Sequence, residues 1–256
     1  MPVIAGIYRV IMAALYFAFF GIGALIISLV LFNVLKLFVH DEHSLRNKSR
    51  NITSLSFKFF VSSGNFLKIF DIQVEGLEKL KDDHGMMFIA NHPTLIDVVI
   101  MISFVKNANC VVKASLKHNP FLRTIVKSND YVTNDGTAEE IIQKCKICFK
   151  KHDNLIIFPE GTRTIDKTNL HFTHGFSSIA IENECKIRPI AIDYQSRGLQ
   201  KHVPFYYIYF GKLTYRLHVL DCFDTVEYVK EHQDREISAI SRMISKELKN
   251  TIASCL

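Results

Sequence analysis

The chain has 256 residues, 48% of them hydrophobic, and its 31 basic and 25 acidic side chains leave a net charge of +6. That length suits one catalytic domain with an appendage better than two full domains. The positive balance fits an anionic membrane surface or an anionic substrate, and nucleic acid is disfavoured because no dense Arg/Lys run or nucleic-acid-binding motif accompanies the charge.

Residues 10–35 carry no charge over 26 positions, more than the ~20 that cross a hydrocarbon core as a helix. A single tilted transmembrane helix is expected. It should be retained, since the run exceeds a signal-peptide core and no small-x-small cleavage site follows. Lys36, Arg46, Lys48 and Arg50 follow it while only Arg9 precedes it, a bias that places the rest of the chain in the cytoplasm. The alternative is a helix lying partly in the membrane interface. The expected organisation is a membrane anchor at 1–40, an amphipathic linker helix within 41–70 and a catalytic domain at 71–256. Over 52–70, Phe57, Phe60, Val61, Gly64, Leu67 and Phe70 recur near helical spacing, so this face either packs on the domain or makes a second membrane contact.

From residue 71 short apolar runs at 86–90, 110–112, 155–158, 187–192 and 206–220 alternate with amphipathic segments, which predicts an α/β domain, a mixed sheet flanked by helices. Thr137-Ala-Glu-Glu140 has the capping-box pattern, and Ile141, Cys145, Cys148 and Phe149 then share one helical face. A last amphipathic helix runs through Ile237, Ile240, Ile244, Leu248 and Ile252. The six cysteines all follow residue 100 without the close spacings of a disulfide framework, which reads as reduced cytosolic thiols.

Two motifs carry chemistry. Asn91-His92-Pro93-Thr94-Leu95-Ile96-Asp97 sits between an apolar strand run and an apolar helix run. Residues five apart in a regular helix are rotated by about 140° from one another, so His92 and Asp97 meet only if His92 lies ahead of the first turn. Pro93 supports that placement, because it disfavours helical dihedrals in the residue before it. A carboxylate on one imidazole nitrogen fixes the tautomer and leaves the other as a general base. The bland alternative is a surface His beside an Asp that merely satisfies a helix dipole. The second motif, Phe158-Pro159-Glu160-Gly161-Thr162-Arg163, leaves a strand end; Arg163 offers a planar fork for a phosphate and Gly161 lets backbone amides approach. Its alternative reading is a turn whose Arg pairs with Glu160 or another acid.

Asn91-His92-x4-Asp97 followed about sixty residues later by Phe158-Pro-Glu-Gly-Thr-Arg163 resembles the glycerophospholipid acyltransferase family, which includes 1-acylglycerol-3-phosphate acyltransferases. The resemblance covers about 71–220. It implies direct acyl transfer from an acyl carrier protein or coenzyme A thioester to a hydroxyl of a lysophospholipid-like acceptor, with no metal, no other cofactor and no covalent acyl-enzyme. It implies His92 as base, Asp97 as its partner, Asn91 beside the acceptor, and Glu160, Gly161, Thr162 and Arg163 on the acceptor's phosphate side. Lys113 matches a further basic position and Pro189 a late apolar-proline motif, and a bacterial inner membrane is the implied setting. Where the family often carries an Arg, this chain has Asn134. With Asn119-Pro120 and Asn134-Asp135-Gly136 the chain is similar to acyltransferases of bacterial aryl polyene lipid pathways, so a glycolipid or aryl polyene acceptor is an alternative, as is hydrolysis of the thioester.

Other chemistries fit less well. Cys145-x2-Cys148 with His171-x2-His174 has four metal-ligand types, but both cysteines fall on the apolar face of a capped helix. Gly175-Phe-Ser177-Ser-Ile179 lacks the last glycine of a serine-hydrolase elbow. The sequons at Asn47 and Asn51 fall on the side expected to be cytoplasmic. A decayed, purely binding version of the fold would lack the catalytic pair, and both His92 and Asp97 are present.

Overall fold

The computed structural model describes residues 2–119 and 122–256; Pro120, named above, lies outside them. The chain opens with helix α1 (Pro2–Ile26), one π turn (Ile27–Leu31) and helix α2 (Phe32–Phe38). Val3–Phe38 is long and apolar enough to cross a membrane. After a short turn, Asp41 accepts the Ser44 N–H at 2.7 Å and starts α3 (Glu42–Phe66), which runs back along α1. Tyr16 stacks on Phe60 with ring centroids 5.1 Å apart, and Phe20 and Phe57 are 5.9 Å apart.

The amphipathic helix expected over 52–70 is therefore longer and ends earlier. It starts at Glu42 because Asp41 caps it, and it stops before Lys68, whose φ of 58° is left-handed. Phe70 belongs to the first strand instead. A side chain at Gly64 would collide with the Phe70 ring, so the helix meets the strand there at glycine distance. Of its two expected roles, α3 packs on the domain, against α4 (Asp97–Phe104) and β1 (Phe70–Glu75), and still exposes Leu55, Phe59 and Phe66.

Strands β1, β2 (Met87–Ala90), β3 (Ala108–Val112), β4 (Val132–Thr133), β5 (Asn154–Ile157), β6 (Ile187–Tyr194) and β7 (Leu213–Val219) form one sheet in the order β1-β7-β6-β2-β5-β3-β4. Neighbours pair in parallel except β6 with β7. Helices α5 (Arg123–Ser128), α6 (Ala138–Lys150), α7 (Gly175–Glu182), α8 (Thr225–Glu231) and α9 (Ile237–Ala253) complete the domain. The runs around 86, 110, 155 and 187 are strands as expected. The run at 206–220 is divided: Phe205–Phe210 is a 3₁₀ turn that packs on α1, and only Leu213–Val219 is a strand. The core lies in two layers. One face of the sheet carries Phe70, Phe88, Ile100, Met101 and Tyr215 with the α1/α3 aromatics; the other carries Met87, Leu155 and Ile187 with α6, α7 and α9. Cys145 and Cys148 are buried in that second layer.

Candidate active site

Strands β2 and β5 are parallel neighbours, so the loops leaving their carboxyl ends lie side by side, where open α/β sheets hold their ligands. Asn91 is the first residue past β2. Its amide donates to the Ile192 carbonyl at 2.9 Å and accepts from the Ile192 N–H at 2.8 Å, tying the end of β2 to β6. It is a positioning group, since both functions of its buried side chain are engaged with backbone.

His92 follows, ahead of α4, and its Nδ1 lies 2.7 Å from Asp97 Oδ2. Asp97, the first residue of α4, is fully buried. The Thr94 N–H donates to Asp97 Oδ2 at 2.7 Å, the Thr94 hydroxyl donates to Oδ1, and Tyr215 donates its phenol to Thr94 Oγ1 at 3.0 Å. A carboxylate that takes donors on both oxygens is an acceptor, so Nδ1 carries the proton and Nε2 the lone pair. The His92 side chain keeps 21% of its surface exposed, which leaves a basic nitrogen accessible over a buried anion. Burial, and after it the Asp97 charge, push the Tyr215 hydroxyl well above the usual phenol range, so it remains a donor.

The second motif closes on the first. The Phe158 ring stacks on the imidazole, centroids 4.4 Å apart and 28° from parallel. The His92 N–H donates to Glu160 Oε1 at 3.2 Å and to Thr164 Oγ1 at 2.9 Å, the Thr164 hydroxyl donates to Glu160, and the Thr164 N–H donates to the His92 carbonyl at 2.6 Å. Burial raises the Glu160 carboxyl above the usual range, with these hydrogen bonds opposing the rise. Glu160 thus braces the His92 backbone. Gly161 turns the loop with φ of 62°, where nothing lies within 4 Å of an added Cβ.

Arg163 does not pair with Glu160: its Nη1 donates to the Leu199 carbonyl at 3.0 Å. Lys201 reaches Thr162 Oγ1 at 3.1 Å, which adds a cation beside this loop that the motif reading lacked. Lys113 is exposed just past β3, at the same carboxyl edge. Asn134 has a backbone task, since its Oδ1 accepts the Ala114 N–H at 2.9 Å and its N–H donates to the Val112 carbonyl. Thr94, Thr164, Tyr215 and Lys201 were not singled out from sequence. Thr94-x2-Asp97 has the Ser/Thr-x-x-Asp/Glu form of a capping motif, a signal that would have found Thr94; the others arrive through long-range pairing and carry no local mark.

Residues 71–193 match the family model described as Acyltransferase. Three similar curated proteins are 1-acyl-sn-glycerol-3-phosphate acyltransferases. That from Cocos nucifera is 30% identical over 127 residues, 47% of this chain and 41% of its own length. The chloroplastic protein of Arabidopsis thaliana is 23% identical over 128 residues, 48% of this chain and 36% of its own length. The Helicobacter pylori protein is 28% identical over 131 residues, 48% of this chain and 55% of its own length. The chain therefore spans about half or less of these relatives. Across the whole fold it is similar to the crystal structure of the 1-acyl-sn-glycerophosphate acyltransferase from Thermotoga maritima, with a TM-score of 0.63, 20% identity and coverage of 97% of this chain and 95% of that one. A likeness at that identity concerns the fold.

Proposed function

We propose that this chain, whose residues 71–193 match the acyltransferase family model, moves a fatty acyl group from an acyl carrier protein or coenzyme A thioester to the hydroxyl of a lysophospholipid-like acceptor such as 1-acylglycerol-3-phosphate. The observation that carries this reading is the His92–Asp97 pair at 2.7 Å beside the loop that bears Arg163, which Lys201 of the loop after β6 adjoins. The acceptor hydroxyl gives its proton to His92 Nε2 as its oxygen attacks the thioester carbonyl. Asp97 stabilises the imidazolium so formed. The tetrahedral intermediate then expels the thiolate, breaking the C–S bond, and the proton on Nε2 is returned to the leaving sulfur. Arg163 and Lys201 hold the acceptor's phosphate as charge-assisted donors, with Lys113 a further exposed cation at the same edge.

The membrane is the source of the acceptor and the sink for the product. A stripe of Ile4, Ile7, Ile11, Leu15, Phe19, Ile22 and Ile26 is exposed along α1. Its opposite side touches the catalytic domain from Gly6, against Tyr209, to Phe17, whose ring is 5.7 Å from Phe205. A helix docked along its length beside the domain favours seating in one leaflet, on the cytoplasmic face, over a free transmembrane crossing.

The test is incubation of the purified full chain with a labelled acyl thioester of either carrier and lysophosphatidate in mixed micelles. Diacyl product is expected. Free fatty acid as the only product in the presence of acceptor would assign a thioester hydrolase, and no thioester consumption with either carrier would remove the proposal.

A further inference from the structure

Away from His92, the base of the α1/α3 hairpin buries more donors than it satisfies. Continuing the antiparallel register of Tyr16 with Phe60 and Phe20 with Phe57 brings Ser28, in the π turn, opposite Ser49 of α3, and α5 packs against both elements. Ser28 Oγ, Arg46 Nε and Nη2, Ser49 Oγ, Arg50 Nη2 and Ser128 Oγ are all buried without a protein partner. Besides the serine hydroxyls, which can accept as well as donate, the orphaned acceptors here among the described residues are Asn47 Oδ1 and Asp153 Oδ2, and Asp153 is already met by Arg50 at 2.8 Å and Asn107 at 2.9 Å. Arg46 is 8% exposed and has no ion pair among the described residues. A guanidinium so buried is costly unless an anion meets it.

Residues adjacent to this junction line a groove of about 1120 Å³ at the β4 edge of the sheet. Leu29, Asn33 and Lys36 come from the apolar N-terminal helix, Arg123 and Lys127 from α5. The groove's other lysines are engaged: Lys117 and Lys144 with Asp135, Lys151 with Asp130. Lys36, Arg123 and Lys127 have no ion pair among the described residues. Beyond Lys36 the helix exposes Leu37 and Phe38, and on the other side Val30 and Val34. Three unpaired cations thus stand where an apolar helix surface begins, the arrangement that meets a phosphate at the boundary of a lipid layer. The place is not the catalytic one: in the order β2-β5-β3-β4 the edge strand β4 stands three strands from β2, which leads into His92, roughly 14 Å across the sheet.

We propose that this groove binds an anionic phospholipid at a site separate from the acceptor's. Lys36, Arg123 and Lys127 hold the lipid phosphate, the acyl chains leave the groove past Leu29 and Ile147 toward the exposed apolar surface of the N-terminal helix, and the unpaired Arg46 supplies positive charge behind them. A free phosphate or a phosphorylated thioester carrier shares the charge but has no use for the apolar wall.

The test uses the full chain in neutral detergent, with native mass spectrometry to measure binding of short-chain phosphatidylglycerol, phosphatidylcholine, inorganic phosphate and coenzyme A. Phosphatidylglycerol should bind at least about tenfold tighter than phosphatidylcholine, and the triple variant Lys36→Gln/Arg123→Gln/Lys127→Gln should weaken it by about a hundredfold, at roughly one kcal/mol per cation. Thioester consumption in detergent should be unchanged by the triple variant. Equal binding of the two lipids, displacement of phosphatidylglycerol by millimolar inorganic phosphate, or its displacement by coenzyme A would each overturn the proposal. Arg46→Gln provides a second reading: phosphatidylglycerol should raise the Tm of the parent more than that of the variant, and an equal gain would remove Arg46 from the site.

Discussion

Phe158, the first residue of one motif, lies face to face with the imidazole of His92, in the other, at 4.4 Å. The contact joins loops from two parallel strands and limits the planes the imidazole can adopt, while Asp97 fixes its tautomer. Phe158→Leu keeps the apolar packing and loses the stacked face. At about 0.5–1.5 kcal/mol for such a ring contact, kcat should fall by up to about tenfold with the acceptor KM unchanged. Steady-state kinetics over an acceptor series checks this, and an unaltered kcat would mean that Asp97 alone orients the ring.

Asp97→Asn is expected to keep the fold and to lose transfer by about 10⁴-fold, because an amide can donate to Nδ1 and turn the basic nitrogen inward. His92→Ala should cost about 10²–10⁴-fold. The double variant should be no slower than the slower single one, since the two act as a unit. Thiol release, read alongside circular dichroism for folding, would show a fully additive loss if the residues acted independently.

Arg163→Ala should raise the acceptor KM strongly, each charge-assisted contact being worth about 1.5–3 kcal/mol, and leave thioester hydrolysis less affected than transfer. Asn134→Arg should shift preference toward lysophosphatidate over neutral lysolipids. It should also lower the Tm, because the Ala114 N–H loses its acceptor. An unchanged KM in the first variant together with unchanged preference in the second would assign the phosphate clamp to other residues.

The Glu160 carboxyl is raised by burial, so the folded state holds its proton to higher pH than the unfolded chain. Its contribution to stability is then fully present below the ordinary glutamate range and is lost as pH rises through the raised value. Glu160→Gln, neutral throughout and able to keep Oε1 as an acceptor for the His92 N–H, should abolish that decline. Denaturant midpoints of the two proteins across the acidic range should diverge as pH rises; parallel curves would show that Glu160 is not a burdened acid.

The chemistry that depends on a few adjacent residues was legible before any fold was known. Pro93 placed His92 ahead of the helix, Asp97 five positions on could then reach back to it, and the structure has that contact at 2.7 Å. The Thr137 capping box and the buried face of α6 were equally readable, because turn chemistry and helical periodicity act within a few residues. What depends on pairing across the chain was not. Tyr215 meets Thr94 through 121 residues of separation, Lys201 meets Thr162 through 39, and the two-residue strand β4 is too short to show alternation, whereas β1 does alternate Phe70, Ile72 and Val74 with Asp71, Gln73 and Glu75. The hydrogen bonds of Glu160 to the His92 N–H and the Thr164 hydroxyl, and the docking of α1 beside the domain, belong to the same class. Sheet register and helix packing are decided by burial summed over distant segments, and no local spacing encodes which of them will be neighbours.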